Sequence, residues 1–565
     1  MSRRVAPVAF FVLGVAAHVV LAVVLREPAP GGLRADENVY LELASTLWRD
    51  GTYGPRVSIT YPPAYPMVAA PAFALASNAA RFAVLRAGQA LALAAASLLL
   101  LPMLRSALGS PRAWAFLGAL QLVAGAVFHG VFAQSEALYV VLLVAATGLV
   151  WTAWATDRGA AWLGLGLVAG LSVATRRMGV VVPIAITMLA ALDVVQTRDV
   201  RGWARRLGFL TLGLGAGLLP EALASMLHGD AISPYSEGAA GSHLKAGVTA
   251  LGTGKGRALA LRVTGAQLAW PLLTTAAAPL LIAIAWLDLR TAPSRPSRPT
   301  ARVYAFTLLT LTGSTALTIL HILRYRLGTG NQGWDLYPRY LDPHELPLLA
   351  VGLVAVAALA IRGARTWRPL AWGGLALGAV ALAGPVARTR GGRMIPPIRL
   401  DAEPGILGDV ALWLIPGGAA AWTVLVLAAV ALPALRRRLS PALWLVAALV
   451  AGWLVSAHMP ARLVRGDRPA TTPAVLRAPA LTENPRAPLG VVVYRPGPYG
   501  RKYYAPAFRS DHPVWFLAPD EATAWAAAHP DGFVLVHPDD KRSPPGLARV
   551  GRKDGWTILR PGDPE

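Results

Sequence analysis

From Val5 to about position 460 the chain returns repeatedly to apolar runs of roughly 20 residues, the length one helix needs to cross a bilayer. A membrane interior offers backbone groups no water, so such runs fold as helices whose hydrogen bonds close within the segment. Composition agrees. The 565 residues are 55% hydrophobic and 15% charged, where a soluble domain carries about a quarter charged residues. The fold class expected is mainly α: a polytopic transmembrane helix bundle.

Hydrophobic runs mark about 13 spans, near 5–26, 82–105, 111–131, 136–155, 160–175, 178–195, 204–226, 267–288, 302–323, 346–362, 368–387, 410–435 and 440–460. The first run follows Arg3-Arg4 and resembles a signal peptide. It is long for one, and the GGLRADE after it is a poor cleavage site, so it reads as a retained first helix.

The formal net charge is +23, from 53 Lys+Arg against 30 Asp+Glu. In a soluble protein that excess would suggest nucleic acid. Here Arg105, Arg112, Arg158, Arg201, Arg362 and Arg436 sit in short loops between spans, where cytoplasmic cations collect. Orientation accounts for the charge, and no nucleic-acid partner is expected. The alternation puts the N-terminus in the cytoplasm and the C-terminal tail outside. Loops 27–81, 227–266, 324–345 and 388–409 then share the outer side. There is no cysteine, which excludes disulfides and thiolate chemistry.

After Pro460 the pattern changes. A Pro/Arg-rich linker, 461–488, follows the membrane domain of residues 1–460 and leads to the short runs GVVVY, PVWFL, GFVLVH and WTILR around the Ala-rich EATAWAAAH. Residues 489–565 read as a small extracytoplasmic α/β domain.

The first outer loop holds the chemistry-bearing candidates. Asp36 and Glu37 open the amphipathic stretch DENVYLELASTLWRDG. A carboxylate there could take the proton of an acceptor hydroxyl; equally, Asp36 could cap a helix starting near Glu37. Tyr40, Tyr61 and Tyr65 could line the same pocket or form an interfacial belt. The prolines of YPPAYP fix an extended turn, and the apolar run 67–77 is too short to span, so it is expected to lie along the surface.

Other outer-side residues run against the charge trend. Arg176 and Arg177 suit a phosphate, or snorkel to headgroups. Arg324, Arg326, Arg339 and Tyr340 crowd another outer loop, where Arg339 could clamp a lipid phosphate or simply pair with Asp335 or Asp342. Lys245 and Lys255 lie in a glycine-rich stretch that lacks P-loop spacing and reads as an anion site or a solvated loop. Glu136, with Ser135, opens a span at the outer face, as a cap or facing the cavity. Histidines 129, 228, 243, 321 and 344 have no ligand-like spacing, and nothing supports a divalent ion at Asp36-Glu37; no cofactor is expected.

In this order DENVY, YPPAYP, SEALYVVLLV, AGLSVATRRMGVVVPIA and PRYLDP, with the outer C-terminal stretch ending in GWTILR, resemble the GT-C superfamily of membrane glycosyltransferases. Lipid A aminoarabinose transferases and protein O-mannosyltransferases are the groups it is similar to. The resemblance covers nearly the whole chain, each motif being loose and the order specific. It implies a bacterial cytoplasmic-membrane enzyme with Asp36 as catalytic acid/base and Glu37 in support. It further implies a sugar on a polyprenyl phosphate as donor, and outer arginines that hold the donor's phosphate. The acceptor stays open between lipid, glycan and protein. One departure stands out: PRYLDPHELP carries Asp342, His344 and Glu345 where relatives run more apolar. The competing reading is a transporter or flippase of lipid-linked sugars, which would need ionisable groups within the spans and interrupted helices.

Overall fold

The computed structural model describes residues 5–24, 35–53, 61–131, 134–227, 245–291, 298–328, 341–362, 389–390, 393–394, 419–428, 440–456, 474–484, 486–494, 512–537, 540, 543–553 and 555–561. Among these, seven helices are long and apolar enough to cross a membrane, or up to nine if each of two bent pairs is one span. The spans expected at 368–387 and over most of 410–435 lie outside the described residues.

The N-terminal part runs α1 (Val5–Val24), α2 (Ala35–Asp50), α3 (Ala64–Ala69), α4 (Asn78–Ser97), α5 (Leu101–Leu108), α6 (Ser110–Leu120), α7 (Ala124–Val131) and α8 (Ser135–Thr156). It continues through α9 (Gly159–Thr175), α10 (Val181–Thr197), α11 (Val200–Gly217) and α12 (Leu219–Leu227). Then come α13 (Gly254–Thr274), α14 (Ala278–Thr291), α15 (Arg298–Gly328), α16 (Glu345–Arg362) and α17 (Pro441–Ser456). At 1.5 Å per residue, the 22 residues of α8 reach about 33 Å, enough for the hydrocarbon layer.

Two thirds of the apolar window in α8 is buried, so this helix is central. By contrast α1 and the α11–α12 span bury 17% of theirs and present their remaining apolar surface outward. Lipid gives no hydrophobic drive for helices to associate, so close backbone packing has to supply it. The pair α9 and α11 does this with small residues: Gly166 and Gly170 lie against Gly213 and Gly217, and a Cβ on any of the four would strike a carbonyl of the facing helix.

Two helices are broken. α6 and α7 bend by 46° at residues 121–123, and α13 and α14 by 87° at 275–277. One charged pair lies deep between spans, where Arg302 on α15 donates to Asp193 and Gln196 on α10.

The C-terminal sheet comprises β1 (Leu489–Val492), β2 (Val514–Leu517), β3 (Phe533–Val536), β4 (Leu547–Lys553) and β5 (Trp556–Pro561), in the order β2-β1-β3-β5-β4. β1 pairs parallel with β2 and β3, and β5 antiparallel with β3 and β4. The connection from β2 to β3 carries α18 (Ala522–Ala528), as parallel strands require. β1 and β3 are buried along their whole length, the apolar run of a sheet covered on both faces.

One of those faces rests on α18, through Val492, Val534 and Ala526. The other joins the membrane domain: Leu489, Val491, Phe533 and Ile558 share one core with Tyr40, Leu41, Ala44, Tyr65 and Ala69. Burying a Leu, Val, Ile or Phe side chain contributes about 1.5–3 kcal/mol each, so this shared core is a substantial weld. Arg49, in the last turn of α2, adds a cation–π contact over Trp515 at 5.0 Å.

Candidate functional site

α2 begins at Ala35, which places Asp36 and Glu37 inside its first turn, where the helix dipole favours acids. The Asp36 side chain lies outside the described residues. Glu37 is fully buried, and Tyr40, three residues on, shares its face of the helix. Glu42 is a second fully buried acid of α2, which the sequence pattern did not single out.

YPPAYP, expected as an extended turn, forms the opposite wall, but its second half is helical. Its prolines fall at the helix start, where no amide donor is needed: Pro63 stands at the N-cap of α3 and Pro66 in its first turn. The run continues as a 3-10 turn over Ala70–Ala74, so the expected short surface element divides into two helical pieces. Tyr65 and Tyr61 thereby reach Tyr40, with ring centroids 5.4 and 5.0 Å away. Gln89 of α4 donates to the Tyr65 hydroxyl at 2.7 Å. Burial pushes the Tyr65 phenol well above its ordinary range, and the nearby Glu37 adds to it. Tyr65 is therefore a neutral phenol at any working pH. Tyr53 binds the loop in place by donating to the Tyr61 carbonyl at 2.6 Å.

From Tyr40 a polar chain runs into the bundle. Its hydroxyl donates to Ser135 Oγ at 2.7 Å, and Ser135 donates to Glu136 Oε2 at 3.3 Å. Glu136 Oε1 then meets Arg176 Nη1 at 2.6 Å, with the Glu136 side chain fully buried and the Arg176 side chain 12% exposed. Arg176 is extended (φ −159°, ψ 135°) where α9 ends, which turns it away from its own helix. Glu37, Tyr40, Tyr61, Tyr65, Glu136 and Arg176 thus gather at one end of the bundle.

Among the described residues, the expected cations Arg177, Lys245, Lys255 and Arg324 do not join them. Arg177 pairs with Glu221 at 2.8 Å near the surface. Lys245 and Arg324 line a separate groove of roughly 440 Å³ between helical residues 245–251 and the end of α15, floored by Leu323 and Leu327. Lys255 is exposed in the first turn of α13 and does not line that groove. The Arg326 side chain, and Arg339 and Tyr340 altogether, lie outside the described residues. Among the described residues no group of three or more His, Asp or Glu could hold a metal ion.

Gln89 was missed by the sequence reading although a signal existed: it is a lone amide in an apolar span, and polar groups inside a membrane mark partners or function. Glu42 had no such signal. Acids spaced along an amphipathic helix usually face water, and only packing shows that this one does not.

No protein-family model matches the chain, and no curated protein does. Among solved structures it is similar to ArnT from Cupriavidus metallidurans bound to undecaprenyl phosphate, at TM-score 0.51 and 17% identity over 97% of each chain. The apo state of that protein gives 0.48 and 17% over 98% of each. The Archaeoglobus fulgidus oligosaccharyltransferase in the apo form gives 0.43 and 13%, over 93% of this chain and 69% of that one. The chain shares its polytopic fold with that ArnT structure, as the sequence resemblance implied.

Proposed function

We propose that this protein is a membrane glycosyltransferase that moves a sugar from a polyprenyl-phosphate donor to an acceptor hydroxyl at the outer face of the membrane. The observation that carries the reading is the convergence at one end of the bundle: the acidic first turn of α2, the walls Tyr40, Tyr61 and Tyr65, and the Glu136–Arg176 pair. Acid, aromatic surface and cation are the three things such a transfer needs.

Asp36 is the general base, supported by Glu37. The acceptor proton goes to Asp36, and the acceptor oxygen bonds to the anomeric carbon. The electron pair of the broken carbon–oxygen bond leaves with the lipid phosphate. A single displacement inverts the anomeric centre. The protein's share is positioning and stabilisation of charge growing on the phosphate. Arg176 suits that charge, since a guanidinium offers five donors in a planar fork that matches phosphate. Lys245 and Arg324, in their separate groove lined by Leu323 and Leu327, suit the phosphate of a lipid-linked donor at first binding, before it reaches Arg176.

Two observations favour a transporter, the bent helices and the buried Arg302–Asp193 pair, but that pair sits within about one turn of the ends of α10 and α15 and is closed on itself. The helix breaks are closed as well: Trp453 donates to the Leu122 carbonyl at 2.8 Å and Trp444 to that of Ala276 at 3.0 Å. Partnered breaks favour a fixed scaffold over a moving one.

The deciding experiment supplies purified protein in lipid with radiolabelled polyprenyl-phosphate sugars. Label moving to an acceptor, and lost in Asp36→Asn, is the expected result. A folded protein that consumes no such donor returns the weight to the transporter.

A further inference from the structure

Asp342, His344 and Glu345, the polar departure in an otherwise apolar motif, are all buried, at 7%, 1% and 2% exposure. Three such groups at a helix start demand an account, because an unpartnered polar group in this environment is costly. Asp342–His344 forms one 3-10 turn leading into α16. From this turn, contacts run by two routes, to α7, which precedes Glu136 in the chain, and to α15, which packs on α8.

The first passes through α7. Glu345 Oε2 accepts from the Gly125 amide at 3.0 Å, at the first turn of α7 just past the break. The first amides of any helix lack partners within it, and a carboxylate there answers both the missing bond and the dipole. A side chain at Gly125 would press on that carboxylate and force it to shift. Asp342 secures the same turn by accepting from Trp270 Nε1 at 2.6 Å, and it lies 3.6 Å from His129 of α7. α7 ends at Val131, a few residues before Ser135 and Glu136.

The second passes through α15. His344 Nε2 lies 2.9 Å from Ser314 Oγ. Ser314 in turn stands beside the Tyr139 hydroxyl, one turn along α8 from Ser135 and on the face of Glu136.

We infer that Glu345 and His344 are positioning residues for the Glu136–Arg176 pair, acting through α7 and through Ser314–Tyr139. As a statement about catalysis this rests on the function proposed above; as a statement about α7 it does not. Glu345 fixes the direction in which the chain re-enters at Ser135, and His344 holds the first turns of α8. Neither touches substrate.

The test compares Glu345→Leu, which removes the acceptor, with Glu345→Gln, which keeps one oxygen for the Gly125 amide. Hydrogen exchange is followed over residues 124–131 and kcat and KM are measured on the full chain in lipid. Glu345→Leu is expected to speed exchange in α7 about tenfold or more and to lower kcat roughly 10–100-fold at little change in donor KM. Glu345→Gln should restore both. In a Glu136→Gln background, Glu345→Leu should cost no further kcat, since coupled residues do not add. If Glu345→Leu does not fold, Ser314→Ala reads the second route, with the same expected drop in kcat and the same loss of effect beside Glu136→Gln. Unchanged α7 exchange, unchanged kcat, a Gln variant as impaired as Leu, or multiplicative effects with Glu136→Gln would each overturn the inference. A wild-type protein that consumes no lipid-phosphate sugar overturns the function instead, and the exchange arm still judges whether Glu345 holds α7.

Discussion

Glu136 and Arg176 meet at 2.6 Å across the ends of two sequential helices, the Glu136 side chain fully buried and the Arg176 side chain nearly so. Breaking a pair of this kind from one side strands a charge and costs about 3–5 kcal/mol. Arg176→Ala should therefore lower the thermal midpoint and abolish transfer. Adding Glu136→Gln should recover the midpoint, because the stranded charge is gone, but not the transfer. Thermal unfolding in detergent and a donor-consumption assay read the two effects separately.

Asp36→Asn removes the proposed base while keeping the shape of the side chain. A loss of about 10²–10⁴-fold in rate is expected, with the midpoint unchanged. Glu37→Gln should cost less. An Asp36→Asn protein that folds and transfers at the wild-type rate would remove the assignment.

Tyr65 makes a pH prediction with a definite sign. Its folded pKa lies well above the ordinary tyrosine value, chiefly through burial. Stability from the neutral phenol is full below the unfolded pKa, about 10, and declines as pH rises beyond it, because only the unfolded chain can ionise there. Thermal midpoints taken between about pH 8 and pH 11 should fall at the alkaline end. Tyr65→Phe should flatten part of that fall, although it forfeits the Gln89 hydrogen bond.

The groove between Lys245 and Arg324 predicts a binding effect. Lys245→Ala and Arg324→Ala should each raise donor KM, by roughly tenfold if the phosphate contact is charge-assisted, with kcat retained. Lys255→Ala should change neither, since Lys255 is exposed and does not line the groove. Steady-state kinetics with varied donor decides it.

Ile558 lies in the C-terminal sheet, yet it shares a core with Tyr40 and Tyr65. Ile558→Ala should cost about 2–5 kcal/mol and loosen α2 as well as the sheet. Hydrogen exchange of the α2 amides checks this, and transfer should fall with it. Normal exchange in α2 would show that the two parts are independent.

The membrane class was legible because apolar runs of bilayer length leave the backbone one solution, the helix. The helix beginning near Asp36 was legible for local reasons, whereas the extended turn expected at YPPAYP gave way to a helix over Ala64–Ala69. Acids favour a helix N-terminus, whereas proline restricts itself and the residue before it yet also suits the first turn of a helix. The first preference acts within a few residues, so it needs no knowledge of the rest of the chain. The helix breaks at 121–123 and 275–277 were not legible. Their backbone groups are satisfied from remote segments, by Glu345, Trp453 and Trp444.

The amino-acid sequence by itself determined a polytopic helical membrane protein, a terminal α/β segment, and an acid-bearing helix followed by a proline-rich tyrosine segment. Only the tertiary structure decided that Arg176 faces Glu136 while Arg177 faces Glu221, that Lys245 and Arg324 share a groove apart from both, and that the C-terminal sheet is welded to the loop carrying Tyr40. Local patterning records which surface of an element is apolar or charged. Which partner that surface meets depends on packing between residues far apart in the chain, and no local preference encodes it.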